Sequence, residues 1–373
     1  TASPKGALSF PSYRGGGTGN KSFGYTFGGN GYSLVSRLDY ANDTSAGSPR
    51  GNLYTPADYC ASVGNNNFGY TGARPWSNTS TLGKVDYSND TVQETLLGTN
   101  LFIGSPGYYS YAGVGNQNFG YYAGGAPADS SVRSIDYSND AVALTPKGPL
   151  SATGRYAMAT GNANFGWVSV GPSNYGSAIN RIDYANDTSQ ATPKGNLSIA
   201  RTYKSVTGDN NYGYWCGGAH PVVSTVNRVD FANDTAGGSP KGPLSAPRYH
   251  MPQGYSAKQN GNPQTPEPSI GIIQAPFPPP FSYPVQLHNN KGYGYFAGGY
   301  STSPSSMVLS QTQRIDYTND TATAVLKGNL TIPGSLQSDK QSGTGSPNHG
   351  YIAGGNPSST NADRIDYAND TAT

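Results

Sequence analysis

One short motif recurs along the chain and limits the folds open to it. The run Asp-Tyr-x-Asn-Asp, with Phe replacing Tyr once, begins at Asp39, Asp86, Asp136, Asp183, Asp230, Asp316 and Asp366. Neighbouring copies lie about 47 to 50 residues apart, except across one longer interval that contains an insertion. This period is too long for a heptad or collagen repeat. We therefore interpret the chain as seven copies of one small supersecondary unit.

A second signature shows what each unit contains. Phe-Gly-Tyr or a close variant precedes every copy of the first motif, as in Phe68-Gly69-Tyr70, and five copies are followed by a double glycine. Apolar residues alternate every second position between clusters of Gly, Pro and Asn, which is typical of short strands and not of helices. Gly-Asn pairs such as Gly64-Asn65 indicate two-residue hairpins with the glycine at positive φ. Each unit is thus predicted to form a four-stranded sheet joined by tight hairpins.

A four-stranded sheet of this size cannot bury both its own faces, but several sheets around an axis can. We therefore predict an all-β fold, a seven-bladed β-propeller with four-stranded blades, as a single domain over residues 1–373. A superhelical solenoid is the competing geometry. The first and last residues read as two halves of one unit. We expect the N-terminal and C-terminal strands to share one blade and to close the ring.

Two resemblances follow from these residues. The order of Gly217-Gly218, then Arg228 to Phe231, the Asn233-Asp234-Thr235 turn, Leu244 and Arg248 resembles the kelch repeat of β-propellers, although Thr or Ala stands where kelch units usually carry Trp. The sequence motif Arg-Ile-Asp-Tyr-Ala/Ser-Asn-Asp-Thr, together with the motif Gly-Asn-x-Asn-Phe-Gly-Tyr, is similar to repeats in structural proteins of marine cyanophages. The first resemblance implies a propeller, and the second implies a virion protein associated with the tail or a tail fibre.

Charge excludes several classes of partner. Only 12% of the residues are charged and the formal net charge is +2, so the chain lacks the basic surface that nucleic acid requires. The sequence also contains no transmembrane run, and we expect no membrane insertion. Residues 251–290 are an insertion rich in proline, which favours extended polyproline II structure. We predict that they form an arm that contacts a neighbouring subunit, making the chain a homo-oligomer, or else a long tolerated loop.

The sequence offers little catalytic chemistry. Glu occurs only at Glu94 and Glu267, and most Asp residues belong to the repeat. We call the first Asp of each Asp-Tyr-x-Asn-Asp run the leading Asp, and we interpret the seven leading Asp residues as structural residues of strands and turns. The four His residues occupy unrelated repeat positions, and the two cysteines, Cys60 and Cys216, lie in different units. We therefore predict a non-enzymatic protein without catalytic residues, cofactor or metal. Calcium at the Asp-x-x-Asn-Asp turns stays open as a less favoured alternative.

Tyrosine provides the candidate binding residues. Of the 29 Tyr, twelve occupy the two repeat positions and are predicted to pack between blades. The remaining ones include Tyr108, Tyr109, Tyr111, Tyr122, Tyr175 and Tyr300, which we interpret as an exposed aromatic face suited to glycan recognition.

The function favoured by these observations is a phage virion module, structural or adhesive, that binds other virion proteins and host surface glycans. A bacterial extracellular propeller for protein assembly is the alternative, and an intracellular adaptor, a kelch-type oxidase or a glycan hydrolase is less favoured. The expected location is the virion or the extracellular space.

Overall fold

The computed structural model describes residues 3–12, 14–72, 81–99, 111–125, 129–141, 144–170, 176–249, 255–256, 292–301, 307–330, 342–345, 349–354 and 360–367. Apart from residues 255–256, the predicted arm lies outside these ranges, and the expectation that it contacts another subunit remains a prediction. Within the described ranges the regular structure consists of short strands and one 3₁₀ turn, Phe231–Asn233.

The strands are, in chain order, β1 (Ser3–Pro4), β2 (Gly16–Gly19), β3 (Phe23–Gly29), β4 (Tyr32–Asp39), β5 (Ser48–Arg50), β6 (Ala61–Gly64), β7 (Phe68–Gly72), β8 (Leu82–Asp86), β9 (Thr95–Gly98), β10 (Ala112–Gly115), β11 (Phe119–Ala123), β12 (Val132–Asp136), β13 (Thr145–Lys147), β14 (Met158–Gly161), β15 (Phe165–Val170), β16 (Ala178–Asp183), β17 (Thr192–Lys194), β18 (Ser205–Gly208), β19 (Tyr212–Cys216), β20 (Val226–Asp230), β21 (Ser239–Lys241), β22 (Tyr255–Ser256), β23 (Tyr293–Ala297), β24 (Tyr300–Ser301), β25 (Met307–Val308), β26 (Gln311–Asp316), β27 (Val325–Asn329), β28 (Ser342–Gly345), β29 (His349–Ala353) and β30 (Ala362–Asp366).

In the described part of the chain these strands form seven four-stranded antiparallel sheets and one two-stranded sheet, β24-β25. We number the larger sheets in chain order: sheet 1 (β2-β3-β4-β5), sheet 2 (β6-β7-β8-β9), sheet 3 (β10-β11-β12-β13), sheet 4 (β14-β15-β16-β17), sheet 5 (β18-β19-β20-β21), sheet 6 (β22-β23-β26-β27) and sheet 7 (β28-β29-β30-β1). The first strand of each sheet contacts the first strands of its neighbours, so the sheets surround a common axis. The chain is an all-β propeller with four-stranded antiparallel blades.

The Phe-Gly-Tyr signature has a steric explanation. A Cβ added at Gly69 would lie 2.7 Å from the Tyr87 hydroxyl, and one at Gly120 would lie 2.5 Å from the Tyr137 hydroxyl. The central glycine therefore makes room for the tyrosine that follows the leading Asp of the same unit. The Phe of the signature makes a cation–π contact with the next strand. In sheet 1 the Arg37 guanidinium lies 4.3 Å from the Phe23 ring centroid.

The Gly-Asn prediction was wrong about the glycine. Gly19, Gly64, Gly115 and Gly161 are absent from the residues with positive φ. A Cβ at Gly64 would instead lie 2.5 Å from the Phe68 carbonyl oxygen, so this position requires glycine for close approach. Asn65 organises the turn, since its Oδ1 accepts hydrogen bonds from the backbone N–H groups of Asn67 and Phe68. Positive φ occurs at the double glycines, including Gly124 and Gly125.

The connection after the leading Asp is also longer than a tight hairpin. In sheet 2, β8 ends at Asp86 and β9 begins only at Thr95. The Asp86 Oδ1 accepts the Ser88 N–H, and five other leading Asp residues make the same contact two residues onward. The leading Asp therefore begins a turn that its own side chain caps.

Aromatic rings stack across the seams between sheets. In each pair the tyrosine or tryptophan of the second strand of one sheet lies against the ring that follows the leading Asp of another, with centroids 3.7 to 5.2 Å apart. The pairs are Tyr25–Tyr87, Tyr70–Tyr137, Tyr121–Tyr184, Trp167–Phe231, Tyr214–Tyr317, Tyr295–Tyr367 and Tyr351–Tyr40. These flat contacts bury large apolar area at every seam.

The second Asp of the repeat joins the same seams by charge. Asp234 of sheet 5 accepts hydrogen bonds from Trp167 Nε1 at 2.8 Å and Arg181 at 3.1 Å, both in sheet 4, and Lys194 Nζ lies 3.0 Å away. Equivalent contacts are made by Asp43, Asp90, Asp140, Asp187 and Asp320. We call these six residues the seam aspartates. Asp43, Asp90, Asp234 and Asp320 are buried, and Asp140 and Asp187 are partly buried, so each contact is sensitive to loss of either partner.

Candidate binding site at the axial mouth

A cavity of about 190 Å³ lies on the axis where the inner strands begin. Its walls are mostly small residues at the starts of β2, β6, β10 and β14, together with Cys60, Ser62, Tyr111, Met158, Val206 and Gly343. Added Cβ atoms would lie 2.2 Å from Ser62 Oγ at Gly16 and 2.9 Å from the Gly343 carbonyl oxygen at Gly17. Glycine here allows neighbouring inner strands to approach closely and leaves backbone groups at the cavity wall.

Four bulky residues with strained backbones come just before lining residues of this cavity in the sequence, three of them directly before Gly15, Cys60 and Ala157 and one three residues before Val206. Arg14, Tyr59, Tyr156 and Tyr203 have φ values of 63°, 46°, 51° and 50°. Each lies five residues before the glycine that ends an inner strand, so the four are equivalent positions of four units. A side chain in this left-handed region costs roughly 1–2 kcal/mol. Such strain is concentrated at functional sites because the surrounding structure must maintain it.

These residues bring aromatic rings together along the rim. The Tyr156 and Tyr203 ring centroids are 4.3 Å apart, and the Tyr203 and Tyr249 centroids are 6.3 Å apart. The Arg14 guanidinium lies 4.3 Å from the Tyr59 ring centroid. All five side chains are partly exposed. We call Arg14, Tyr59, Tyr156, Tyr203 and Tyr249 the mouth residues.

The charges near the mouth are compensated internally. Arg14 forms an ion pair with Asp58, 3.3 Å between nitrogen and oxygen. Burial raises the pKa of the Asp58 carboxyl, and the Arg14 charge opposes that rise. Next to Tyr203, burial and, to a smaller extent, the Arg201 charge lower the pKa of Lys204 to about 7. The Lys204 Nζ donates hydrogen bonds to the backbone oxygens of Gly176 and Arg201. The described rim is therefore close to neutral.

Two fully buried arginines hold the loops behind the rim. Arg201 donates to the Trp215 carbonyl at 3.0 Å and to Asn227 Oδ1 at 2.9 Å. Arg248 donates to the Gly298 carbonyl at 3.0 Å and to Gln311 Oε1 at 3.0 Å. Since both precede a mouth tyrosine, these bonds position Tyr203 and Tyr249.

The structure corrects two residues that were predicted to belong to an exposed aromatic face, because Tyr122 and Tyr111 are both buried. Tyr122 is fully buried and donates a hydrogen bond to the Tyr70 carbonyl in sheet 2, so it is no part of an exposed aromatic face. Its neighbour Tyr121 stacks on Tyr184 of sheet 4, because successive strand residues face opposite sides and both sides of β11 are covered. Tyr111 lines the cavity, and its hydroxyl donates to Asp129 at 3.1 Å.

The other predicted residues are not brought together by the described structure. Tyr300 lies in β24, but its side chain is outside the described part, as are Tyr108, Tyr109 and Tyr175. Sequence reasoning missed the mouth residues altogether. The signal that could have found them is the bulky residue five positions before the glycine that ends an inner strand.

Metal ligands do not cluster in the described part of the chain: no group of three or more His, Cys, Asp or Glu residues there could hold an ion. Cys60 and Cys216, both described, form no disulfide with each other, and the Cys60 thiol donates a hydrogen bond to the Phe27 carbonyl oxygen. Among the described residues, no helix is both long and apolar enough to span a membrane.

Comparison with known proteins informs only the fold. No family model matches the chain, and no curated protein matches it. Among solved structures the chain is similar to YjhT, with a TM-score of 0.54 and 10% sequence identity over 96% of this chain and 95% of that one. At this identity the likeness supports a shared fold and carries no statement about activity.

Proposed function

We propose that this protein is a non-enzymatic module of a phage virion, tail- or fibre-associated, that helps to assemble the particle and binds host surface glycans at the axial mouth. The observation that carries the glycan part is the row of Tyr156, Tyr203 and Tyr249 rings beside a cavity with backbone-lined walls. Sugars stack on aromatic faces and hydrogen-bond to backbone and hydroxyl groups, and neither interaction needs charge.

The absence of catalysis in this proposal rests on how the carboxylates are used. In the described residues the leading Asp residues cap turns and the seam aspartates bind neighbouring sheets. Glu94 accepts hydrogen bonds from the Thr71 hydroxyl and the Tyr54 N–H. Asp58 pairs with Arg14, and Asp129 accepts from Ser131. These carboxylates have structural partners, whereas glycoside hydrolysis needs two acids facing a shared cleft.

The proposal includes a closed ring of seven blades. It is supported by the stacked ring pairs, which link each of the seven sheets to two others in one continuous cycle. It is also supported by β1, which pairs with β30 so that the N-terminal strand is the outer strand of sheet 7. A closed ring with repeated seams suits a durable particle component, located in the virion or the extracellular space.

Glycan-array binding by the purified protein and a Tyr156→Ala/Tyr203→Ala variant tests the function. We expect specific saccharide signals from the parent protein and a loss of affinity of about fivefold or more in the variant, since each ring contributes about 0.5–1.5 kcal/mol. Val92→Ala, at an exposed turn residue remote in sequence from the mouth, is the control and should bind normally. Absence of saccharide signal would contradict the glycan part, and turnover of a bound sugar would contradict the non-enzymatic part.

A further inference from the structure

The outer strands of most sheets share a proline that blocks strand addition. Proline occupies the same register position, opposite the residue three before the leading Asp, in five outer strands, at Pro4, Pro49, Pro146, Pro193 and Pro240. Because proline has no N–H to give to the ladder, its nitrogen must face away from the sheet. These prolines remove an outward donor from the edge, which is a known protection against edge-to-edge association.

Two outer strands lack this protection. Leu96 pairs with Gly83 in sheet 2, and Leu326 pairs with Gln313 in sheet 6. Gly83 and Gln313 lie three residues before the leading Asp of their units, as Asn227 does in sheet 5, where it pairs with Pro240. Leu96 and Leu326 therefore occupy the position that proline has in the other outer strands. By this equivalence the Leu326 N–H points outward from β26.

The edge in sheet 6 is the more accessible of the two. β27 has five residues, whereas the proline-bearing outer strands have two or three. Val325 and Leu326 are 49% and 50% exposed, two adjacent members of the small set of exposed large apolar side chains in the described structure. Leu96 is partly buried. The pairing of this strand with β26 is regular at Val325 and Leu326, and the irregularity in its pairing lies between Leu326 and Asn329.

We infer that residues 325–327 of β27 pair with the same segment of a second copy of this chain. The edge of an antiparallel sheet can pair with a second copy of itself across a two-fold axis. The outward N–H and C=O groups of one residue then bond to the C=O and N–H groups of the same residue in the other copy. With Leu326 opposite Leu326 of the other copy, the pair exchanges two hydrogen bonds and the Val325 side chains gain apolar cover.

Charge also favours this register. Lys327 then lies opposite Val325 of the second copy, so the two lysines do not face each other, and like charges directly opposite would oppose pairing. The contact is far smaller than a stable dimer interface, so the association is weak and depends on concentration. It suits an assembly in which many copies are held close together, and it uses a surface separate from the axial mouth.

Sedimentation velocity across a concentration series, with the full chain, tests the inference. Leu326→Pro should weaken self-association by about tenfold or more, because it removes an outward hydrogen bond and apolar contact. The variant should fold normally, since five sheets already carry proline at this position. Leu326→Lys is the second variant, and it should also weaken association by placing two cations opposite each other.

Leu96→Pro in sheet 2 is the matched control and should leave association unchanged. A parent protein that stays monomeric at millimolar concentration would overturn the inference. Equal association of the parent, Leu326→Pro and Leu326→Lys proteins would also overturn it, as would loss of association in Leu96→Pro alone.

Discussion

At the six seams whose second Asp is described, this Asp accepts closely similar hydrogen bonds each time, whereas the cavity wall differs from unit to unit. The position just before the inner strand holds Gly15, Cys60, Tyr111, Ala157 and Lys204 in five successive units. The seams have unstrained, buried and uniform chemistry, but the neighbouring mouth residues have strained backbones and partial exposure. In a repeat protein this contrast separates positions that hold the ring together from positions free to specialise for a ligand.

The largest expected effect comes from breaking one seam. Asp234→Ala removes the acceptor of Trp167, Arg181 and Lys194 and should lower the free energy of unfolding by about 3–5 kcal/mol, because buried cations lose their counter-charge. Urea denaturation measures the change. Asp230→Ala, which removes only the turn cap at Ala232, should cost about 1 kcal/mol. Equal losses of unfolding free energy in the two variants would show that the seam contacts stabilise the fold no more than the turn caps do.

A smaller effect is expected when a seam is crowded instead of opened. An Ala side chain at Gly120 would lie 2.4 Å from Val63 Cγ2 and 2.5 Å from the Tyr137 hydroxyl. We expect Gly120→Ala to lower the free energy of unfolding by about 1–3 kcal/mol through overpacking. Gly237→Ala is the matched control, since its only close neighbour is the Asn196 carbonyl oxygen at 3.3 Å. Thermal unfolding of both proteins should reveal a clear difference, and its absence would argue against tight seams.

The seams were largely predictable from the sequence, and the mouth was not. The repeat spacing and the alternation of apolar residues predicted four-stranded sheets, because these depend on local pattern and burial. Tyr122 was misjudged because exposure at β11 depends on which neighbouring sheets cover it. The role of Gly64 was misjudged because a close carbonyl contact and a positive φ both select glycine. Tyr156 and Tyr203 were missed because a bulky residue five positions before a glycine recurs in the sequence, but nothing in the sequence shows that its φ is positive.

A pH experiment sharpens the comparison on the mouth side. The pKa of Lys204 is about 7 in the folded chain, well below that of an exposed lysine, so between these values only the unfolded chain holds the proton. Raising the pH from 7.0 to 8.5 should therefore stabilise the fold, by about 1 kcal/mol per pH unit or less. Lys204→Met should flatten this dependence in urea titrations.

The chosen pH window keeps small the contribution of groups that act in the opposite direction. Burial raises the pKa values of Cys216 and of seam tyrosines such as Tyr184, so these groups reduce stability only at higher pH. An unchanged slope in Lys204→Met would mean that another group near the mouth carries the titration.

The smallest effect should distinguish backbone strain from side-chain function at Tyr203. Both Tyr203→Ala and Tyr203→Gly remove the ring and should lose glycan binding together, but only glycine accepts the φ of 50° without strain. We therefore expect the glycine variant to be more stable than the alanine variant by about 1 kcal/mol in urea denaturation. At exposed Ala200 nearby, where φ is not positive, Ala200→Gly should destabilise by about 0.5–1 kcal/mol. If the glycine variant were more stable than the alanine variant at both positions, or less stable at both, the backbone at Tyr203 would not be strained. The contrast between a strained mouth and unstrained seams would then be wrong.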